Sequence, residues 1–114
     1  MDGEISGQRA ARNQSLYRSV NEEITQLNEA FAEVFPGSES LSEWVCECAD
    51  TNCTRRVKAT RQEYDVVRSN GRTFIVYPGH VYPEVERVVT ENDRFAMVEK
   101  LDEAGQLAEA LDSR

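Results

Sequence analysis

Hydrophobic positions in the first third of the chain recur at helical spacing. Gaps of four, four, three, four and three residues separate Leu16, Val20, Ile24, Leu27, Phe31 and Val34. This period predicts an amphipathic helix. Its solvent-exposed face would carry the intervening polar residues, Asn21, Glu22, Glu23, Gln26, Asn28, Glu29 and Glu33. We expect the helix to begin after Ser6-Gly7 and to stop at Pro36-Gly37, because proline disfavours helical backbone at the residue before it.

A helix of about 25 residues, roughly 40 Å long, exceeds what a chain of 114 residues normally needs. We expect its apolar face to pack on the protein's own sheet. The same spacing would also suit the seam of a homodimer, so the sequence leaves a monomer or a homodimer through the N-terminal helix open.

After the helix, the sequence pattern predicts short extended segments and one short helix. Trp44 and Val45 indicate a short extended segment. Thr60 and Glu63 have the spacing of a capping box, which predicts a short helix that ends near Asn70-Gly71. Residues 74–77 form a continuous β-prone run closed by Pro78-Gly79, typical of a strand buried on both faces.

The last third predicts a hairpin and a helix. Residues 85–90 and 95–99 flank a turn-rich connector. Short helical spacing follows at Ala104, Leu107, Ala108 and Leu111, weakened by Gly105. The sequence therefore predicts an α+β fold: a long N-terminal amphipathic helix, a zinc-binding loop, a short helix, a small three- to four-stranded mainly antiparallel sheet and a short C-terminal helix. We expect residues 1–114 to form a single domain, with the helix in 1–37 and the zinc loop and sheet in 41–114.

Composition and charge bear on where the protein is located and on which partners it could bind. The sequence contains no apolar run long enough to span a bilayer, so we expect a soluble, cytoplasmic protein without a membrane partner. The net charge is −8, but residues 21–53 carry eight acids and no Lys or Arg. Residues 54–72 carry six basic residues, namely Arg55, Arg56, Lys58, Arg61, Arg68 and Arg72. They predict a weak nucleic-acid contact, whereas mutual neutralisation on the surface is the simpler interpretation.

Three cysteines crowd into eight residues, at Cys46, Cys48 and Cys53, and His80 is the sole histidine. Three thiols cannot all pair, and a bridge across Cys-x-Cys would be strained, so a disulfide framework is a poor interpretation. Thiolates and imidazole are ligands that tetrahedral Zn²⁺ prefers. We therefore predict Zn²⁺ as cofactor, bound by Cys46, Cys48, Cys53 and His80. Asp50, a cysteine from a second chain, or water are the alternatives to His80.

Four protein ligands would close the site and make it structural. If His80 lay elsewhere, the open position could activate water, with Glu47 or Glu84 as base. Without metal, Cys53 and His80 would form a candidate nucleophile pair.

The Cys-x-Cys-x4-Cys run resembles the zinc motif that follows the SET domain of lysine methyltransferases. This resemblance implies that the three cysteines bind zinc, and it implies nothing further. The chain also resembles small actinobacterial-type proteins of uncharacterised function. That resemblance rests on Arg9–Asn13, Cys46–Cys48, Glu63-Tyr64 and Pro78-Gly79-His80. It implies that the cysteines and His80 act as one unit in a bacterial protein.

We find no phosphate loop and no catalytic triad in the sequence, so we predict a protein that is not an enzyme. The leading hypothesis is a zinc-binding module that docks on a protein or ribonucleoprotein partner, in regulation of transcription or translation. The first alternative is a redox- or zinc-responsive thiol switch. The second is a zinc-dependent hydrolase with an open metal position.

Overall fold

A computed structural model describes residues 7–34, 41–50 and 52–112. In chain order the elements are α1 (Gly7–Val34), β1 (Ser42–Val45), β2 (Arg56–Ala59), α2 (Arg61–Arg68), β3 (Thr73–Val76), β4 (Glu86–Glu91), β5 (Ala96–Lys100) and α3 (Asp102–Ala110). The α+β class is confirmed. The predicted stop of the first helix at Pro36-Gly37 lies outside the described residues.

The strands form two antiparallel sheets. β1 pairs with β2, with Trp44 opposite Val57, and the second sheet has the order β3-β5-β4. The predicted hairpin is present as β4 and β5, and the predicted strand at 74–77 is β3, which pairs with β5. The sequence prediction missed β2. Its residues alternate between exposed and buried, but four residues with two charges give too short a pattern to be recognised.

β3 lies between two hydrophobic clusters, as a strand buried on both faces should. The first cluster consists of Trp44, Val57, Ala59, Tyr64, Val67, Ile75 and Phe95, with the Trp44 and Tyr64 rings stacked 4.3 Å apart. The second consists of Cys46, Cys48, Phe74, Val76, Ala96, Val98 and Ala108. Two of the predicted metal ligands therefore belong to the core.

The predicted capping box begins α2. Thr60 Oγ1 accepts the Glu63 amide at 3.0 Å, and the Glu63 carboxylate accepts the Thr60 amide at 2.8 Å. α2 ends at Arg68, before the predicted Asn70-Gly71. Tyr64 and Val67 face inward, as their spacing predicted.

α1 is confirmed as a helix, but the prediction of which face it buries is wrong. The apolar residues Leu16, Val20, Leu27 and Val34 are 40–70% exposed, whereas Gln14, Arg18, Asn21 and Thr25 are buried. Asn21, predicted to face solvent, is fully buried.

The physical reason is the surface that receives the helix, which presents hydrogen-bonding groups. Arg18 donates to the carbonyls of Gly71 at 2.9 Å and Ala108 at 3.0 Å. Asn21 accepts the Val45 amide at 2.8 Å and donates to the Val45 carbonyl at 2.8 Å. Buried polar side chains with such partners avoid the cost of desolvation without a hydrogen bond.

Gly105 lies in α3 because the helix passes close to its neighbours. A Cβ there would lie 2.7 Å from the Lys100 carbonyl oxygen and 2.5 Å from an Arg72 nitrogen. The low helix propensity of glycine is the cost of this close approach. No helix in the described part of the chain is both long enough and apolar enough to cross a membrane.

Candidate metal centre

Two separate loops carry the metal-binding side chains. Cys46 follows β1 directly, and its amide donates to the Arg55 carbonyl at 3.2 Å, which extends the β1–β2 ladder toward the site. Cys53 lies in the loop that returns to β2, where its amide donates to the Asp50 carbonyl at 3.1 Å. The tight loop between the two strands thus keeps the three cysteines together.

His80 arrives from the second sheet. After β3 the chain turns at Pro78-Gly79, and Gly79 has φ of 90°, a conformation that glycine adopts without strain. The His80 amide donates to the Tyr77 carbonyl at 2.9 Å, which closes the turn. The Tyr77 ring lies beside the imidazole, with ring centroids 5.3 Å apart.

The four candidate ligand atoms form a compact cluster. The sulfurs of Cys46, Cys48 and Cys53 and a ring nitrogen of His80 all lie within 4.8 Å of one another. Nδ1 of His80 lies 3.6 Å from the Cys46 sulfur and 3.5 Å from the Cys53 sulfur. Metal–sulfur and metal–nitrogen bonds of about 2.3 and 2.0 Å at a tetrahedral angle place S and N about 3.5 Å apart. The cluster could hold a metal ion.

Outer groups also fix the cluster. The Tyr77 amide donates to the Cys46 sulfur at 3.2 Å, a bond that favours a thiolate there. Glu47, between two of the cysteines, points the other way and is fully buried. Its carboxylate accepts from Asn21 Nδ2 at 2.8 Å, from the Tyr64 hydroxyl at 2.7 Å and from the Ile75 amide at 3.0 Å. These bonds tie the backbone between Cys46 and Cys48 to α1, α2 and β3.

The thiols differ in acidity because they are crowded together. The hydrogen bond from Cys46 lowers the pKa of Cys48 to about 5, despite its burial. The same bond and burial raise the pKa of Cys46, and burial raises the pKa of Cys53. Cys48 is therefore the first thiolate, and a cation at the centre would favour ionisation of the other two.

The site is open to solvent on one side. A cavity of about 230 Å³ is lined by Cys48, Asp50, Gly79, His80, Val81 and Tyr82. Cys46 and Cys48 are buried, whereas Cys53 and His80 are half-buried. Small solutes can therefore approach the cluster from the His80 side.

The group of candidate ligands does not include the other residues that the sequence suggested. Asp50, the alternative fourth ligand, has an exposed side chain, and Glu84 is exposed as well. Burial raises the pKa of Glu47, while its three hydrogen bonds oppose this rise. As a base for an open site, Glu47 would have to leave the three donors that surround it.

The six basic residues of segment 54–72 are split between surface and interior. Arg68 is buried and paired with Glu22 at 3.1 Å and Asp112 at 2.6 Å. Arg72 pairs with Glu109 at 3.1 Å, and Arg61 is half-buried. Arg55, Arg56 and Lys58 remain exposed, in the segment that follows Cys53.

The sequence prediction missed the supporting roles of Asn21 and Glu47. Glu47 does carry a signal, because the side chain between two ligands in an extended Cys-x-Cys segment must face the opposite way. Asn21 carries no such signal in the sequence, because it lies among the polar residues that the helical pattern predicts to face solvent. Comparison with known proteins adds nothing to this description: no protein family, curated protein sequence or solved structure matches the chain.

Proposed function

We propose that the protein is a non-enzymatic binding module whose core is held together by a structural Zn²⁺ ion bound to Cys46, Cys48, Cys53 and His80. The carrying observation is the spacing of 3.5 and 3.6 Å between His80 Nδ1 and two sulfurs, the edge length of a tetrahedral ZnS3N site. Zn²⁺ fits better than Mg²⁺ or Ca²⁺, because three sulfurs and an imidazole are soft donors.

A structural role follows from the number of ligands. Four protein donors leave no position for water, and three thiolates reduce the Lewis acidity of the ion. Its contribution is to join the β1–β2 loop to the end of β3, and so the two sheets to each other. This argues against the hydrolase alternative.

Docking on a macromolecular partner is the second part of the proposal. Arg55, Arg56 and Lys58 remain exposed on and beside β2. The Arg55 guanidinium lies 4.8 Å from the centroid of the Tyr77 ring, next to the metal cluster. These cations favour an acidic protein surface or the phosphates of a ribonucleoprotein. Regulation of transcription or translation in the bacterial cytoplasm is the setting we propose for it.

The metal is tested by elemental analysis of protein purified without an affinity tag. We expect one zinc per chain in the wild type, a loss in Cys48→Ser and His80→Ala, and no loss in Asp50→Asn, the matched control. Co²⁺ substituted at the site should show the intense visible bands of tetrahedral thiolate coordination. Absence of zinc, or full retention in His80→Ala, would contradict the four-ligand site.

A thiol switch is a second candidate, supported by the cavity beside Cys48 and His80 and by the half-exposed Cys53. Peroxide could oxidise two of the thiolates to a disulfide, be reduced to water, and release the metal. Thiol counting and zinc release after mild peroxide treatment test it. Retained zinc and three unreacted thiols would exclude the switch.

A further inference from the structure

The outer side of α1 exposes several large apolar residues. Leu16, Val20, Leu27 and Val34, which we call the α1 stripe, are 66%, 40%, 70% and 69% exposed. At 3.6 residues per turn they fall within an arc of about 40°. Gln14, Arg18, Asn21 and Thr25, which face the body, fall on the opposite side of the helix.

The stripe follows one side of the helix, with the exposed Glu23 at its edge between Val20 and Leu27. It extends over 19 residues of helix, from Leu16 to Val34, which is about 27 Å along the axis. Ile24, on its flank, turns toward the core and packs against the first hydrophobic cluster. Four large apolar side chains exposed along one side of a helix are a candidate interaction surface.

We propose that the α1 stripe is covered by the α1 stripe of a second copy of this chain, in an antiparallel helix pair. A second copy would be one docking partner of the module, so this inference rests on the docking part of the proposed function alone. None of the four metal ligands belongs to the stripe, and the proposed contact does not require a bound metal.

The arrangement of the stripe suits an antiparallel pair with a two-fold axis. Leu16 and Val34 stand nine residues before and after Thr25. When the two-fold axis lies at the level of Thr25 along the helix, Leu16 of each copy meets Val34 of the other, as an isologous contact requires. In each copy the rest of the protein packs on the face of α1 opposite the stripe. The two copies therefore extend away from each other and do not collide.

Charge selects the antiparallel direction. Among the α1 side chains that the structure describes, Arg12 is the exposed cation of the first half, residues 7–20, and Glu23, Glu29 and Glu33 are exposed in the second half, residues 21–34. A parallel pair would set Arg12 against Arg12 and Glu33 against Glu33. The antiparallel pair instead brings Arg12 of one copy to within about 8 Å, along the axis, of Glu33 in the other. Both side chains are exposed.

The size of the stripe predicts a weak dimer. A 27 Å helix pair buries less than the roughly 800 Å² per partner of a standard interface. We therefore expect a reversible equilibrium with a dissociation constant in the micromolar range. The fraction of chains in the dimer would depend on the protein concentration.

Sedimentation equilibrium from about 1 μM to about 300 μM, a range that brackets micromolar affinity, tests the pair. We expect wild type to pass from monomer to dimer. Leu27→Asp should weaken association at least tenfold. Gln26→Asp adds the same charge one residue away on an exposed position outside the stripe, and should keep dimerisation within about threefold. Circular dichroism should be unchanged in both variants.

Direction is tested with a photoreactive phenylalanine derivative at Leu16, followed by mass spectrometry of the cross-linked peptides. Cross-links to the peptide containing Val34 of the other copy support the proposal, and cross-links to residue 16 itself overturn the antiparallel arrangement. A wild type that stays monomeric throughout the concentration range overturns the dimer, as does a Leu27→Asp variant that dimerises like wild type. A monomer that binds phospholipid vesicles would instead assign the stripe to a membrane surface.

The two proposals fail separately. Monomeric protein with one bound zinc would overturn only the dimer. Dimeric protein without zinc would overturn only the metal-stabilised module.

Discussion

At the scale of single residues, Glu47 is the one that most directly joins core and site. It places Cys46 and Cys48 on one side of the chain while its carboxylate accepts three hydrogen bonds on the other. We predict that Glu47→Gln lowers the free energy of unfolding by about 1–3 kcal/mol, because an NH2 group that cannot accept replaces one carboxylate oxygen and leaves at least one of these buried donors unpaired. Urea titration measures the loss. Glu43→Gln, at an exposed position of β1, is the control and should change stability by less than about 0.5 kcal/mol.

A second residue-scale prediction concerns pH. Arg94 donates two hydrogen bonds to the Glu63 carboxylate, at 2.9 and 2.6 Å, and they hold the pKa of Glu63 at about 2. A depressed folded-state pKa stabilises the fold above the unfolded value of 4.5, and this contribution is lost as pH falls toward 2.

Glu63→Gln keeps a capping-box side chain but removes the charge. Because both partners are about one-third exposed, we expect a loss of about 1 kcal/mol at pH 7. The difference from wild type should shrink progressively below pH 4.5 in urea titrations at several pH values. A difference that stays constant down to pH 2 would show that the ion pair is not its source. Glu91→Gln, at an exposed carboxylate of β4, serves as control.

At the scale of elements, α1 shows where a hydrophobic pattern informs and where it misleads. The period of Leu16 to Val34 correctly predicts a helix, because the spacing of like residues reflects the geometry of the backbone. It does not say which face meets the protein. That depends on the receiving surface, where the Gly71 and Ala108 carbonyls and the polar groups around β1 and Glu47 lie. These groups come from segments 24 to 90 residues away in sequence.

The docking of α1 can be tested through its buried arginine. Arg18 donates to two carbonyls and lies 4.5 Å from the centroid of the Phe74 ring. We predict that Arg18→Met lowers the free energy of unfolding by about 2–3 kcal/mol, because it leaves buried carbonyls without their charged donor. Arg12→Met removes the same charge from an exposed position of the same helix and should cost less than about 0.5 kcal/mol. Equal effects in denaturant titrations would mean that α1 is not held by its polar face.

At the scale of the whole molecule, local signals predicted most of the fold, and long-range pairing decided the rest. The capping box, β3 and the hairpin follow from neighbouring residues, and all three are confirmed. The sequence also singled out the four residues of the metal cluster. The three cysteines lie close together in the sequence itself. The approach of His80 from another sheet could be inferred only because imidazole is a ligand that zinc prefers. β2 and the separation into two sheets depend on partners that no short window contains.

The two hydrophobic clusters predict how the molecule responds to loss of its metal. Cys46 and Cys48 belong to the second cluster, whereas Trp44 lies in the first, stacked on Tyr64. We expect a chelator to lower the thermal midpoint without abolishing the fold, because the first cluster and α1 hold without the cysteines. Amide exchange should quicken first in the Cys46–Cys53 loop and at Gly79-His80, while the emission of Trp44 stays that of a buried indole. Complete unfolding on chelation, with Trp44 exposed, would mean instead that the ion supplies most of the folding free energy.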